Sequence, residues 1–190
     1  MSNGEHLIVL SGPSGSGKDT VVSQLRRLHP EIQVSVSATT RAMRPGEAEG
    51  VNYFYLTKED FEKKLKQGEI LEHTCYCGNY YGTPKSEVDA RIAAGIDVVL
   101  IIEVEGGANI RKLYPDAKLV FITPPSFEEL ERRLRSRGTD SPQAIAGRLA
   151  RAKEELACAP LYDYRLVNDS LDDCVEELYR IIKTPRVANC

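Results

Sequence analysis

The residues with the clearest chemical meaning lie between Gly12 and Thr20, in the stretch GPSGSGKDT. Gly12, Gly15 and Gly17 let the backbone curl so that successive N–H groups point inward. A helix-like segment, VVSQLRRL, begins at Val21, and the N-terminus of that helix adds partial positive charge. The apolar run Leu7 to Leu10 immediately before the glycines reads as a buried strand. Strand, glycine loop, lysine and helix in that order make an anion trap, in which Lys18 reaches the outer phosphates as a point charge. The Walker A pattern asks for Ser or Thr directly after the lysine, but Asp19 stands there and Thr20 follows it. Even so, Gly12-x4-Gly17-Lys18 between strand and helix predicts a nucleoside triphosphate site.

Other candidates are charged or aromatic. Arg41 and Arg44 fall in a polar, irregular stretch from Ser37 to Gly50, with a spacing that suits two guanidinium forks on one phosphate. Surface charge is the plainer reading of both. Arg133 and Arg137 share a helix face, flanked by Arg132 and Arg135, and Arg148 belongs to the next helix. Such a run is commonly a solvated face; beside a phosphate loop it would make a lid that excludes water and brings cations to a transferring group. Tyr53, Tyr55, Tyr76, Tyr80 and Tyr81 form an aromatic group, of which those near Gly78 and Gly82 face a cleft more readily. Glu72 is either an exposed strand residue or a base reader, since one carboxylate accepts both the ring N–H and the exocyclic amine of guanine. Glu103 closes the most continuous apolar run, at the strand end where nucleotide sites gather in open α/β sheets, and suits a Mg²⁺ ion held directly or through water. No histidine is placed for catalysis.

The surrounding elements must hold these groups. The 190 residues fit one domain with a proper core, 42% hydrophobic and 28% charged. Ile32–Val36 reads as a short strand, Val51–Leu56 as β-like, and Thr57 as the cap of a charged amphipathic helix ending at Gly68. Ile70–Tyr76 reads as a strand and Gly78–Pro84 as a turn-rich loop. A helix to Gly95, a strand over Ile96–Val104, a helix, and a strand over Lys118–Thr123 restore a β/α rhythm. Helices over Ser126–Arg137 and Ser141–Ala157, separated by the turn RGTD, precede a strand over Tyr164–Val167 and a helix over Leu171–Ile182. That alternation predicts an α/β fold with a parallel sheet and helices on both faces, interrupted by an inserted lobe near residues 37–84.

Composition narrows the function. A net charge of −3 argues against a general nucleic-acid or acidic-membrane binder, so anionic ligands must be drawn by local arginine and lysine clusters. Five cysteines, at 75, 77, 158, 174 and 190, lack a second pair that would make Cys75-x-Cys77 a metal clip; they read as reduced thiols of a cytoplasmic protein. No signal peptide is read at the N-terminus, and the apolar run Val98 to Ile102 is far too short to span a membrane.

With these residues in place, the chain resembles the guanylate kinases over nearly its whole length. SGPSGSGKDT, VSVSATTRAMRPGE, GNYYGTP, RRLRSRGTD and YDYRLVND carry the likeness, and five such stretches in this order are very specific. The resemblance implies a P-loop core (1–36, 85–123 and 158–190), a GMP-binding lobe (37–84) and a lid with its following helix (124–157), within one domain over about 5–184. It implies Mg²⁺-dependent transfer of the ATP γ-phosphoryl group to GMP, and to dGMP, in purine nucleotide metabolism. By the same likeness Gly12, Pro13, Ser14, Gly15, Ser16, Gly17, Lys18, Asp19 and Thr20 hold the ATP phosphates, with Asn168 near the adenine. Ser37, Glu72 and Thr83 contact guanine, with Glu103 nearby, while Arg41, Arg44, Tyr53 and Tyr81 hold the GMP phosphate. Arg133, Arg137 and Arg148 close over the transferring group, and Asp19 and Glu103 are the metal candidates. Departures are Asp19, where many members have Ser; Ile101, where an acid is often found; and Glu105, in place of a common Gln. Two alternatives stand beside this: a catalytically silent phosphopeptide-binding module of the same family, and a related sugar-phosphate kinase. The oligomeric state is left open.

Overall fold

A computed structural model describes residues 4–76, 78–136 and 141–185. In chain order the strands are β1 (Leu7–Ser11), β2 (Gln33–Val34), β3 (Ala38–Thr39), β4 (Phe54–Tyr55), β5 (Ile70–Tyr76), β6 (Asn79–Pro84), β7 (Val98–Ile101), β8 (Lys118–Thr123) and β9 (Tyr164–Val167). The helices are α1 (Lys18–Leu28), α2 (Lys58–Lys66), α3 (Lys85–Ala93), α4 (Val104–Leu113), α5 (Phe127–Ser136), α6 (Pro142–Ala157) and α7 (Leu171–Lys183).

Strand β1 has no polar face because it has no solvent face. It lies between β7 and β8 in an all-parallel sheet of order β2-β7-β1-β8-β9, with Val9 opposite Leu100 on one side and Leu119 on the other. Ile8 and Leu10 pack with Val21, Val22 and Leu25 of α1 and with Val175 and Leu178 of α7. Leu7 and Val9 join Val88 of α3 and Ile110 of α4 in a second cluster. Helices thus cover both faces, which is why the strand is apolar without alternation. Each such side chain stabilises the fold by about 1.5–3 kcal/mol when fully buried.

Segment 37–84 builds a separate four-stranded sheet, β4-β3-β6-β5, in which β5 and β6 are an antiparallel pair with Thr74 opposite Tyr81. Its small core is Ala38, Phe61 and Ile70, with Phe61 stacked on Tyr80 at 5.2 Å between ring centres. Thr57 caps α2 as expected, its hydroxyl accepting the Asp60 N–H at 3.1 Å.

Several expected bounds are corrected. The stretch read as a turn-rich loop is strand β6 from Asn79 onward; only Gly78 turns, at φ +76°. Gly82 serves close packing, since a Cβ there would lie 2.7 Å from the Glu72 carbonyl oxygen and 2.9 Å from the Phe61 ring. The strand expected over 96–104 is only Val98–Ile101, because Glu103 is already the cap of α4. The strands expected at 32–36 and 51–56 shrink to two residues each; β2 sits at the sheet edge and pairs with β7 alone. Helices α5 and α6 pack through Leu130, Leu134, Ile145 and Ala152. The RGTD turn, with Arg137, lies outside the described residues, as does Cys77.

Candidate active site at the carboxyl edge of the parallel sheet

The loop from Gly12 to Gly17 leaves β1 at its carboxyl end and feeds α1. Gly12 has φ +152°, and a Cβ on it would fall 2.2 Å from the Ile122 carbonyl oxygen of β8, so the loop presses directly on the neighbouring strand. Gly17 caps α1 in the left-handed region at φ +94°, and its hydrogen faces the Asn168 amide. Asn168 is buried after β9, and its Nδ2 donates to the Ser16 carbonyl at 2.8 Å. Its amide is therefore bound to the phosphate loop itself. Arg133 reinforces the same corner: its guanidinium donates to the Asn168 carbonyl at 2.9 Å and to Glu129 at 2.7 Å. Lys18 Nζ donates to the Gly12 and Pro13 carbonyls, at 2.5 and 3.2 Å, and Arg148 Nη1 donates to Ser14 Oγ at 3.0 Å.

A cleft of ≈ 370 Å³ opens between this loop and the second sheet. Its walls bring together Ser14, Gly15, Gly17, Lys18, Asp19 and Thr20 from the loop and α1, Ser37, Tyr53, Glu72 and Tyr81 from the inserted segment, and Glu103 from the cap of α4. Gly12, Pro13 and Ser16 form the loop's inner side rather than the cleft wall. Glu72 is not an exposed strand residue. It is 9% exposed and accepts the Thr83 hydroxyl at 2.7 Å, while Thr83 is itself buried. Burial raises its pKa above the ordinary carboxylate value, and the Thr83 hydrogen bond partly offsets that.

Arg41 does not line the cleft but stacks on a residue that does. Its guanidinium lies 5.5 Å from the Tyr53 ring centre, and Tyr53 meets Tyr81 edge-on at 5.9 Å. The fork of Arg41 is gripped by both carboxylate oxygens of Glu47, at 2.7 and 3.0 Å. Glu47 also accepts the Arg44 backbone N–H and the Tyr55 hydroxyl, each at 2.8 Å. This pairing, with the Arg41 hydrogen bond the largest cause, pulls the Glu47 pKa down to about 2 and raises that of Arg41. The side chain of Arg44 is exposed.

Sequence reasoning missed Glu47, although its three-residue step beyond Arg44 in the same loop was a usable signal. It also missed Thr74 on the cleft wall, and Arg151, which joins Glu103 to Glu155 across the chain. Nothing local marks that last contact, because it spans 48 residues. Among the described residues no group of three or more His, Cys, Asp or Glu is arranged to hold a metal, and no helix is long and apolar enough to cross a membrane.

A parallel sheet with a glycine-lysine loop at its carboxyl edge, facing a second sheet across a polar cleft, defines a P-loop phosphotransferase. Within that class, the family model described as guanylate kinase matches residues 4–185, and the chain belongs to the guanylate kinase family. It is 53% identical over 176 residues to the guanylate kinase of Gloeobacter violaceus, covering 93% of this chain and 86% of that one. To the guanylate kinase of Streptomyces coelicolor it is 51% identical over 172 residues, covering 90% and 87%. Among solved structures, guanylate kinase from Anaplasma phagocytophilum superposes with a TM-score of 0.73 at 32% identity, over 96% of this chain and 86% of that one. A shikimate kinase from Bacteroides thetaiotaomicron, at 18% identity and a TM-score of 0.51, covers 94% and 98% and shares the fold alone. The substrates of this family are nucleotides, and its reaction generally needs a divalent metal.

Proposed function

We propose that this protein transfers the γ-phosphoryl group of Mg·ATP to GMP, and to dGMP, giving ADP and the guanosine diphosphate for purine nucleotide metabolism in the cytoplasm. The observation that carries the choice of acceptor is Glu72 on the cleft wall, with its carboxylate held from behind by the buried Thr83 hydroxyl. Glu72 accepts the guanine ring N–H and exocyclic amine, and Ser37 and Thr83 complete the base contacts. Tyr53, Tyr81, Arg41 and Arg44 hold the acceptor phosphate. Residues 37–84 act as the acceptor lobe and 124–157 as a lid, with the remainder as the nucleotide core. The free thiols of Cys75, Cys158 and Cys174 suit a reducing compartment.

On the donor side, the N–H groups of Gly12–Thr20 and Lys18 bind the ATP phosphates. Asn168 shapes the loop beside the adenine, and Arg133, Arg137 and Arg148 close over the transferring group. The acceptor is already a phosphate oxyanion, so alignment and charge neutralisation do the catalytic work and no strong general base is required. Asp19, Thr20 and Glu103 place hard oxygen donors on the cleft wall beside Lys18, a set that fits Mg²⁺ shared with substrate phosphates rather than caged by protein. These residues would hold the ion directly or through water, and when bound it supplies neutralisation of phosphate charge.

The direct test is ADP formation with Mg·ATP and each of GMP, AMP, CMP and UMP. Turnover with GMP alone is the expected result. A folded protein that turns over none of them would move the reading to a sugar-phosphate kinase or a phosphopeptide-binding module.

Glu47 gives a second test. As the brace of Arg41, its replacement by glutamine raises KM for GMP about tenfold, the scale of one charge-assisted hydrogen bond, and leaves KM for ATP within about twofold. The depressed pKa means that the brace is fully formed above the ordinary carboxylate value and is lost only as the pH falls through about 2. The E47Q effect is therefore constant from about pH 5 to 8; a KM ratio that changes across that range would remove Glu47 from this role.

A further inference from the structure

Two carboxylates from different elements meet at one cation near the phosphate loop: Glu103 at the cap of α4 and Glu155 near the end of α6. Arg151 is the cation that joins them. Its Nε donates to Glu155 Oε1 at 2.9 Å, and its Nη2 reaches Glu103 Oε2 at 3.3 Å. Glu155 is 9% exposed, and its burial raises its pKa; Arg151 is the ion-pair partner that offsets this. A guanidinium anchored on a buried carboxylate is fixed in direction, unlike one reaching from solvent. What it fixes is Glu103, a cleft residue that shows no other ion pair among the described residues. Three residues before Arg151, on the same helix, Arg148 donates to Ser14 of the phosphate loop. Helix α6 therefore touches the nucleotide site at two points, one on the loop and one on the cap of α4.

We propose that Arg151 is a positioning residue for phosphoryl transfer. Held by Glu155, it takes one oxygen of Glu103 and leaves the other for a Mg²⁺ ion that the nucleotide phosphates would carry, while offsetting the mutual repulsion of the two carboxylates. The contact is half exposed, so its contribution to folding is small. Its consequence lies in where the Glu103 carboxylate stands. The inference rests on the phosphotransfer reading above.

The test compares R151A, R151K and R151A in an E103Q background, by steady-state ADP formation across a Mg²⁺ titration and by equilibrium binding of ADP with Mg²⁺ or with EDTA. R151A is expected to lower kcat about tenfold and to raise the Mg²⁺ concentration for half-maximal rate about fivefold, with KM for GMP within about twofold. ADP affinity in EDTA stays unchanged in R151A, while the extra affinity conferred by Mg²⁺ shrinks. R151K recovers less than half of the loss, because one ammonium cannot hold both carboxylates as a planar fork does. In the E103Q background R151A changes kcat by less than about twofold, since the group it positions is gone. The full tenfold loss in that background, or equal weakening of ADP with and without Mg²⁺, would overturn the proposal. The binding arm needs no turnover. A wild-type protein that fails to phosphorylate GMP overturns the functional reading instead, and Arg151 is then judged by Mg²⁺-dependent ADP binding alone.

Discussion

E72Q lowers kcat/KM for GMP about 10³-fold while leaving ATP affinity within about twofold, because two charge-assisted hydrogen bonds to the base are at stake and each is worth about 1.5–3 kcal/mol. Glutamine keeps the size of the side chain and one acceptor oxygen, but presents an amide N–H₂ where the second acceptor stood. One guanine donor then faces another donor beside a side chain that is itself buried. A pocket built to pair a substrate's N–H groups discriminates steeply for the same reason: the unpaired polar atom remains buried. Thr83 sharpens the effect, since its hydroxyl already donates to Glu72 Oε1 and fixes the carboxylate plane. Burial also raises the Glu72 pKa. The accepting form is the anion, so wild-type GMP affinity falls on acidification earlier than it would with an exposed glutamate, and E72Q lacks that component. The measurement is steady-state kinetics with GMP and ATP varied in turn. Equal losses for both substrates would show that the substitution damages the fold, and Glu72 would no longer be the base reader.

How far the sequence already displays this site depends on how local each signal is. The phosphate loop is legible because every part of it is adjacent in the chain: an apolar strand, glycines with positive φ, a lysine and a helix. The parallel core is legible for a related reason. Strands buried on both faces carry continuous apolar runs, and β1 and β8 keep nearly the expected bounds. The inserted sheet is harder. Gly82 in GNYYGTP looks like turn chemistry, yet it is a contact glycine under Phe61, and only the packing of a distant helix distinguishes the two. Strand β7 reads too long because Ile102 and Val104 continue the apolar run past the point where the chain turns into α4. For side chains, residue type alone favours a solvent-facing strand position for Glu72 over a base reader; its burial against Thr83 decides against the first. Arg41 reads as a candidate phosphate contact, and that it is half of an ion pair is signalled only by Glu47 six residues on in the same loop. For Arg151 the i,i+4 pair with Glu155 is readable on one helix, but its contact with Glu103 is not, because that partner belongs to a different element.

The second large effect belongs to Lys18. K18M lowers kcat about 10³-fold, the scale on which a cation directed at a transferring phosphoryl group acts. Methionine keeps much of the unbranched length and removes the charge. A slackened loop or a collapsed cleft would lower the rate as well, and each leaves its own mark. Lys18 Nζ donates to the Gly12 and Pro13 carbonyls, so the substitution also removes two ties across the loop. Those ties bridge backbone oxygens in a partly exposed loop; at about 1 kcal/mol each they amount to about 2 kcal/mol, so the thermal midpoint falls by about 4–8 °C without loss of the fold. The loop's shape rests chiefly on other contacts: Gly12 against Ile122, and Asn168 Nδ2 on the Ser16 carbonyl. K18M is accordingly expected to stay folded and to bind GMP within about twofold of wild type, since the proposed acceptor contacts lie on the opposite wall. Arginine at the same position restores the charge but brings a planar fork where a compact ammonium fits between loop and phosphate, so K18R recovers less than about a tenth of the lost rate. Pre-steady-state measurement of ADP formation, together with GMP binding by calorimetry, separates the outcomes. A loss of less than about tenfold in K18M would mean that the helix N-terminus and the arginines proposed to close over the site carry the transferring charge without the lysine. A large loss matched by equally weakened GMP binding would assign the effect to collapse of the cleft rather than to charge.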